Sequence, residues 1–172
     1  INFVYCIHNY KQKGVLIVLI HGGKEFYPYP TPEMVRRCRF MIDMGADAVI
    51  CSHTHCPLPW EIDNGKPIVY GLGNLIFESL KRRESTWNEG YLAKLTLNGR
   101  QLRLQTIPYF QSKEQPGAQK MQAAARNQFL HELETKSEEI GDRELQEERW
   151  RSYCRNQREA YLPVLFGYNR FM

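Results

Sequence analysis

The sequence predicts an α/β protein, on three observations. The apolar run Val15-Leu16-Ile17-Val18-Leu19-Ile20 is short, rich in β-branched residues and closed by His21-Gly22-Gly23, which suits a buried strand. A helix signal follows it, opening at Thr31-Pro32-Glu33. Ala46-Asp47-Ala48-Val49-Ile50 then begins a second strand, and strand–helix–strand is the unit from which parallel α/β folds are built.

Each element has a local reason. Tyr27-Pro28-Tyr29-Pro30-Thr31-Pro32 is a proline-punctuated loop; Thr31 is a good N-cap and Pro32 suits the first helical position. The helix should run to about Met44, with Val35, Cys38, Phe40, Met41, Ile42 and Met44 on its apolar face and Gly45 as its stop. Beyond Pro57, Trp60-Glu61-Ile62, a turn at Asp63-Asn64-Gly65 and Pro67-Ile68-Val69-Tyr70 form a hairpin. A stronger hairpin sets Tyr91, Ala93, Leu95 and Leu97 against Leu102 and Leu104, and its Asn98-Gly99 connection favours a type I′ turn. Residues 111–119 are polar with Pro and Gly and mark a boundary. From Lys120 onward Phe129, Leu133, Ile140, Leu145, Trp150, Tyr153, Tyr161 and Leu162 predict two or three amphipathic helices. The expected organisation is a sheet-containing part over residues 1–117 and a helical extension over 118–172 packed on it.

Composition sets bounds rather than a function. A chain of 172 residues with 42% apolar and 24% charged residues holds one globular domain with a small appendage. A net charge of +4 permits an anionic partner without arguing for one. No apolar run is long enough to span a bilayer, and no signal-like start is present. Five scattered cysteines do not form a disulfide framework, so thiols are expected. The chain opens with Ile1 directly in apolar sequence, which predicts a piece of a longer protein.

The chemistry concentrates in Ile50-Cys51-Ser52-His53-Thr54-His55-Cys56-Pro57. In extended chain the side chains at i and i+2 share a side, so His53 and His55 should present their rings together at a strand end. An isolated His-x-His is as often a hydrogen-bonded loop pair as a ligand pair. Here His21 ends a neighbouring strand of the same unit, and three neutral imidazoles make a half-site for zinc, manganese or iron. A two-metal catalytic site also needs carboxylates, and no Asp-x-His pattern occurs to supply them. A structural zinc knot of Cys51, His53, His55 and Cys56 is disfavoured, because four ligands within six residues can hardly wrap one tetrahedral ion. Glu25 could orient a ligand histidine, touch substrate or be a solvated loop acid. Lys81-Arg82-Arg83, between Glu78 and Glu84, is an exposed loop or a phosphate-facing rim. Gly71-Leu72-Gly73-Asn74 lacks the third glycine and the Lys-Ser/Thr of nucleotide motifs. No Gly-x-Ser-x-Gly elbow and no nucleic-acid module is visible.

With these residues in view, the stretch VLIVLIHGGKEFYPYPTPEMVRRCRFMIDMGADAVICSHTHCPLPWEIDNGKPIVYGLGNLIFES resembles the second half of the CapA-type domain. That family is named for poly-gamma-glutamate capsule synthesis and belongs to the calcineurin-like metallophosphoesterase superfamily. The features shared are a strand ending in His-x-Gly-x-Glu, a Pro-rich loop into a helix, Gly-Ala-Asp-x-Val-Ile, the His-x-His, and Leu-Gly-Asn-x-Ile-Phe. The resemblance runs to about Gly117. It implies the second half of a four-layer α/β/β/α sandwich, with the helical tail as a C-terminal extension.

The resemblance also implies roles. His21 is similar to the family's strand-end metal ligand, and His53 and His55 to its closing histidine pair, one facing each of two divalent metal ions (manganese, iron or zinc). Asn74 stands where the Leu-Gly-Asn segment approaches the site, which with Glu25 makes it a candidate substrate-binding residue. The first half of the domain would bring the Asp-x-His, the bridging aspartate, an Asn-His and a general-acid histidine. Gly22 stands where the family usually has Trp, and Cys51-Ser52-His53-Thr54-His55 where it usually has Gly-His-His-Pro-His, so substrate-shaping neighbours differ while the ligands remain. The implied function is capsule or polyglutamate biosynthesis with a dinuclear metal-dependent hydrolase site in the complete protein, and with this chain alone inactive. The alternative is a non-catalytic scaffold or polymer-binding subunit. The implied partners are the first half of the domain or a second copy, with an anionic polymer or phosphoester as substrate. The implied setting is the bacterial cell envelope.

Overall fold

In the computed structural model, residues 7, 9–11, 14–77, 85–111 and 117–165 are described. The Lys81-Arg82-Arg83 run with Glu78 and Glu84, the centre of the 111–119 boundary, Cys6 and the start at Ile1 lie outside them.

The strand–helix–strand unit forms as the sequence predicts. Ile17–His21 (β1) and Ala48–Ser52 (β2) pair in parallel, from Ile17 opposite Ala48 to His21 opposite Ser52, and Pro32–Asp43 (α1) connects them. The Leu16 amide donates to Asp47 Oδ2 at 2.8 Å, which ties the starts of the two strands together. Thr31 caps α1, its Oγ1 accepting from the Met34 amide at 3.2 Å. Val35, Cys38 and Ile42 form the buried stripe of α1. Phe40, expected on that stripe, is on the outer side and 48% exposed, because it stands out of register with the 35, 38, 42 spacing.

Two sheets make the protein a mixed α/β structure. Pro57–Asp63 (β3) and Lys66–Leu72 (β4) form an antiparallel hairpin that completes the first sheet in the order β1-β2-β4-β3. Glu89–Asn98 (β5), Gln101–Gln111 (β6) and Ala118–Lys120 (β7) form the second sheet in chain order. Leu95 faces Leu104 and Leu97 faces Leu102, which is the predicted pairing. The predicted turn is shifted by one residue. Asn98 pairs with Gln101, so Gly99-Arg100 is the connection, and only Gly99 takes a positive φ of 61°. That is a Gly-X connection rather than a type I′ turn, because the glycine alone accepts the left-handed backbone without cost.

The first sheet is buried on both faces over β2 and β4, by different partners. Val49, Cys51, Ile68 and Tyr70 face α1 with Ile140, and Val18 and Ile20 join them. Val69, with Ile50 beside it, meets Tyr91, Phe129 and Leu133 on the other side. Tyr91, fully buried, donates its hydroxyl to the Leu58 carbonyl at 2.8 Å and so pins the two sheets together. The second sheet does not extend over β1. Ile17 is 40% and Leu19 77% exposed, which overturns the expectation of a buried strand. The run alternates faces, and only the side carrying Val18 and Ile20 is covered.

The C-terminal elements are Ala123–Glu138 (α3), a 3₁₀ turn at Glu139–Gly141 and Arg143–Leu165 (α4); Ser85–Asn88 (α2) is a single turn ahead of β5. Phe129 and Leu133 of α3 sit in the inter-sheet core, and Ile140 sits in the core under α1. The Trp60 amide on the edge strand β3 donates to Ser137 Oγ of α3 at 3.2 Å, so the helix covers that edge. Asp142 caps α4, its Oδ1 accepting from the Leu145 amide at 3.0 Å. No helix among the described residues is long and apolar enough to cross a membrane.

Because Leu133 fills the space between sheet and helix, Leu133→Ala should cost about 2–5 kcal/mol. Urea unfolding followed by both tryptophan fluorescence and far-ultraviolet circular dichroism should show one shared, earlier transition. A helical signal that melts separately, with the sheet unchanged, would show the C-terminal helices to be an independent unit.

Candidate metal centre

β1 and β2 end side by side, and their pairing continues beyond the strands. The Gly22 amide donates to the Ser52 carbonyl and the Phe26 amide to the Thr54 carbonyl, both at 2.9 Å. These bonds hold residues 22–26 against residues 52–54 and bring His21, Glu25 and the histidine pair to one end of the sheet. Gly23 is required there: its φ is 132°, and a Cβ would lie 2.8 Å from Thr54 Cγ2. Thr54 itself is buried, and its hydroxyl donates to the Cys56 carbonyl at 2.9 Å.

The rings of His21 and His53 are 4.8 Å apart, and those of His53 and His55 are 5.9 Å apart. His21 Nδ1 is 3.2 Å from Ser52 Oγ. Glu25 Oε1 lies 3.4 Å from His53 Nε2. Glu25, His53 and His55 each offer a ligand atom, and these atoms all fall within 4.8 Å of one another. Two imidazoles and a carboxylate at that spacing, with a third imidazole beside them, fit the donor preferences of zinc, manganese or iron. His21 adjoins this triad without being one of its three members.

The backbone reaches this arrangement differently from the extended geometry expected. β2 stops at Ser52, and His53 and His55 have φ of 111° and 56°. The rings gather because the chain is coiled through left-handed conformations that non-glycine residues rarely occupy. Phe26 (59°) and Ile76 (53°) do the same around the site, so four of the five such residues among those described lie here. Backbone of this kind persists only where the surroundings hold it, and it gathers at functional sites.

His55 is held more closely than the other two. Trp87, Phe77 and Phe26 stack on its ring at centroid distances of 5.2, 5.3 and 5.7 Å and interplanar angles of 20°, 29° and 19°. Asn74 is buried, with Oδ1 2.8 Å from His55 Nδ1. Its Nδ2 donates to the His55 carbonyl at 3.3 Å and the Trp87 carbonyl at 3.1 Å. Gln111 braces the same segment, donating to the Trp87 carbonyl at 3.1 Å and accepting from the Phe77 amide. Phe77 closes the Leu-Gly-Asn-x-Ile-Phe segment, but no local pattern marked an aromatic enclosure of His55. Phe26 adjoins Glu25, but Trp87 and Phe77 stand in irregular segments where no periodicity marks them.

The C-terminal helices brace the loop from outside. Tyr27 packs on Tyr153 and Trp150 of α4, with centroids 4.6 and 5.2 Å away, and burial pushes its hydroxyl up to about 12. Lys24 donates to the Tyr161 hydroxyl, and that bond raises its pKa. Arg149 lies 4.4 Å from the Tyr29 ring centre and grips Glu139 with two nitrogens at 2.7 and 2.9 Å. Cys38 and Cys51 are reduced, buried neighbours with Sγ atoms 3.7 Å apart; the described cysteines form no disulfide and take no part in the triad.

Fold and site together describe an α/β protein with a histidine–carboxylate cluster that could hold a metal ion at the end of two parallel strands. The family described as "Bacterial capsule synthesis protein PGA_cap" matches residues 3–79, which include every residue of the cluster. The PGA biosynthesis protein CapA of Bacillus subtilis (strain 168) is 33% identical over 86 residues, covering 49% of this chain and 23% of that protein. A probable polyglutamine synthesis accessory protein of Mycobacterium tuberculosis (strain ATCC 25618 / H37Rv) is 34% identical over 105 residues, covering 57% of this chain and 28% of that protein. The capsule biosynthesis protein CapA of Bacillus anthracis is 30% identical over 64 residues, covering 37% and 16%. Over residues 3–79 the chain is similar to the CapA-type capsule synthesis family. The matches span only 16% to 28% of these relatives' own lengths.

The Glu139–Arg149 pair gives a pH test of the bracing. The Arg149 guanidinium holds the Glu139 carboxyl below its ordinary value of 4.5. A folded-state pKa below the unfolded one contributes stability that is present above the unfolded value and lost as pH falls through the folded value. Arg149→Met should therefore lower stability by about 1 kcal/mol or less near neutral pH. In urea titrations the difference from the parent protein should shrink as pH falls below 4.5. A gap that is constant with pH would assign the effect of Arg149 to its packing on Tyr29 alone.

Proposed function

We propose that the chain is the metal-binding part of a capsule or poly-gamma-glutamate biosynthesis protein, whose complete form carries a dinuclear metal-dependent hydrolase site of the metallophosphoesterase type. The observation that carries this reading is the convergence of Glu25, His53 and His55 to within 4.8 Å. The names of the relatives, which concern PGA, polyglutamine and capsule synthesis, support the substrate class. Two sheets packed on one another, with α1 on the outer face of the first, support reading the chain as half of a four-layer α/β/β/α sandwich. In that reading the bare strip of Ile17 and Leu19 on β1 meets the rest of the domain or a second copy.

Within this chain Glu25, His53 and His55 would hold one divalent cation, with His21 positioned to join them. When bound, such a cation supplies Lewis-acid polarisation of a phosphoryl or acyl oxygen. Glu25 supplies the negative charge, and the neutral imidazoles supply nitrogen donors. Phe26, Phe77 and Trp87 keep water from one side of His55. Among the cluster residues Glu25 is the sole carboxylate. Two cations a few ångströms apart need more negative charge between them than that. This chain alone should therefore hold one ion and turn over little substrate.

Equilibrium dialysis against manganese or zinc with elemental analysis should find about one ion per chain. His53→Ala should weaken binding by at least about tenfold. A generic phosphodiester assay with manganese should show negligible turnover. Two tightly held ions, or turnover abolished by His55→Ala, would mean that the chain supplies further carboxylate ligands and is catalytic by itself.

A further inference from the structure

We propose that Asn74 is a positioning residue that fixes the tautomer of His55, keeping the proton on Nδ1 and the lone pair on Nε2. One end of the Asn74 side chain faces two backbone carbonyls, those of His55 at 3.3 Å and Trp87 at 3.1 Å. Carbonyl oxygens only accept, so the end facing them is the NH₂ group; an oxygen there would meet two other oxygens. The amide oxygen is thereby turned toward His55 Nδ1, 2.8 Å away. An acceptor that close to a ring nitrogen requires the nitrogen to donate, so Nδ1 carries the proton and the neutral ring keeps its lone pair on Nε2.

The surroundings make the assignment firm. Asn74 is 6% exposed, so water has little access to replace it. Trp87, Phe77 and Phe26 lie nearly parallel to the imidazole and oppose the ring flip that would exchange its two nitrogens. Nδ1 is engaged by Asn74, so Nε2 is the nitrogen left for a cation held with Glu25 and His53. A ligand histidine whose other nitrogen donates to a fixed oxygen is oriented and made more basic before the metal arrives. Asn74 then acts on the ligand rather than on substrate, which revises the role suggested by its place in the Leu-Gly-Asn segment. The consequence for metal affinity rests on the metal-site reading above; the tautomer does not.

The test uses the metal-free chain with ¹⁵N-labelled histidine at about pH 8, above the usual histidine range. His55 is identified by its loss in His55→Gln. Long-range ¹H–¹⁵N correlation should show His55 with a protonated Nδ1 and an unprotonated Nε2. Asn74→Asp keeps the acceptor at Nδ1 but sets a second carboxylate oxygen against the two carbonyls in place of the NH₂ group, which strains the bridge; it should still retain the Nδ1-protonated form. Asn74→Leu loses both and should shift His55 toward the Nε2-protonated form. The two variants therefore separate a tautomer effect from loss of the backbone bridge, and if Asn74→Leu does not fold, the parent and Asn74→Asp spectra still decide. Zinc affinity should fall about 10–100-fold in Asn74→Leu and recover in Asn74→Asp. A parent spectrum with Nε2 protonated, or an Asn74→Leu spectrum unchanged from it, overturns the proposal. The predicted tautomer without any zinc binding would leave the proposal standing and overturn the metal-site reading.

Discussion

The candidate site depends on the continuation of the β1–β2 pairing past the ends of both strands. Parallel register sets His21 opposite Ser52, and two further backbone bonds, Gly22 to Ser52 and Phe26 to Thr54, carry the contact into the loops. Parallel pairing aligns the C-terminal ends of neighbouring strands, where open α/β sheets place their ligand sites. A ligand donated by each loop is then brought within reach of the others without either loop being long. Buried Thr54 forms the floor of the arrangement, and the absence of a side chain at Gly23 lets the first loop close over it.

That arrangement is costly locally, and the surrounding structure offsets the cost. Phe26, His53, His55 and Ile76 all occupy left-handed backbone, each at an expense on the order of 1–3 kcal/mol. The compensation comes from two directions. Inside, the stacked rings and the Asn74 and Gln111 amides satisfy the buried carbonyls of the segment at 87 and 55. Outside, Tyr27 wedges against Trp150 and Tyr153 while Arg149 packs on Tyr29. The C-terminal helices thus contribute to the site although none of the cluster residues lies on them. Their apolar side chains also enter both cores, through Phe129 and Leu133 on one side and Ile140 on the other.

The strand–helix–strand unit, both hairpins and the helical tail were legible in the sequence, because each rests on local signals of periodicity, capping and turn chemistry. The faces were not. In Val15-Leu16-Ile17-Val18-Leu19-Ile20 every residue is apolar, so period-two alternation cannot say that Leu19 is bare and Ile20 covered. The turn after β5 slipped by one residue because Asn98 and Gly99 both suit a turn, and only pairing across the strands decides which residue leaves the ladder. The histidine pair was legible as a pair, but its backbone was not. Extended geometry would have put both rings on one side by itself, and the chain instead uses positive φ at both residues. Glu25 was visible as a nearby acid with three open roles. Trp87 and Phe77, which enclose His55, lie beyond the reach of local pattern because their proximity is created by tertiary contacts alone.

The metal-site proposal makes the end of β1 and β2 a ready cation site in the chain as folded. Anomalous diffraction from crystals of the chain grown with zinc tests it most directly. One strong peak is expected at about 2.0–2.2 Å from a Glu25 oxygen and from ring nitrogens of His53 and His55. His55 should be bound through Nε2 and Asn74 should remain on Nδ1. A map with no peak among these side chains, or with the zinc on the Cys38 and Cys51 thiols instead, would contradict it.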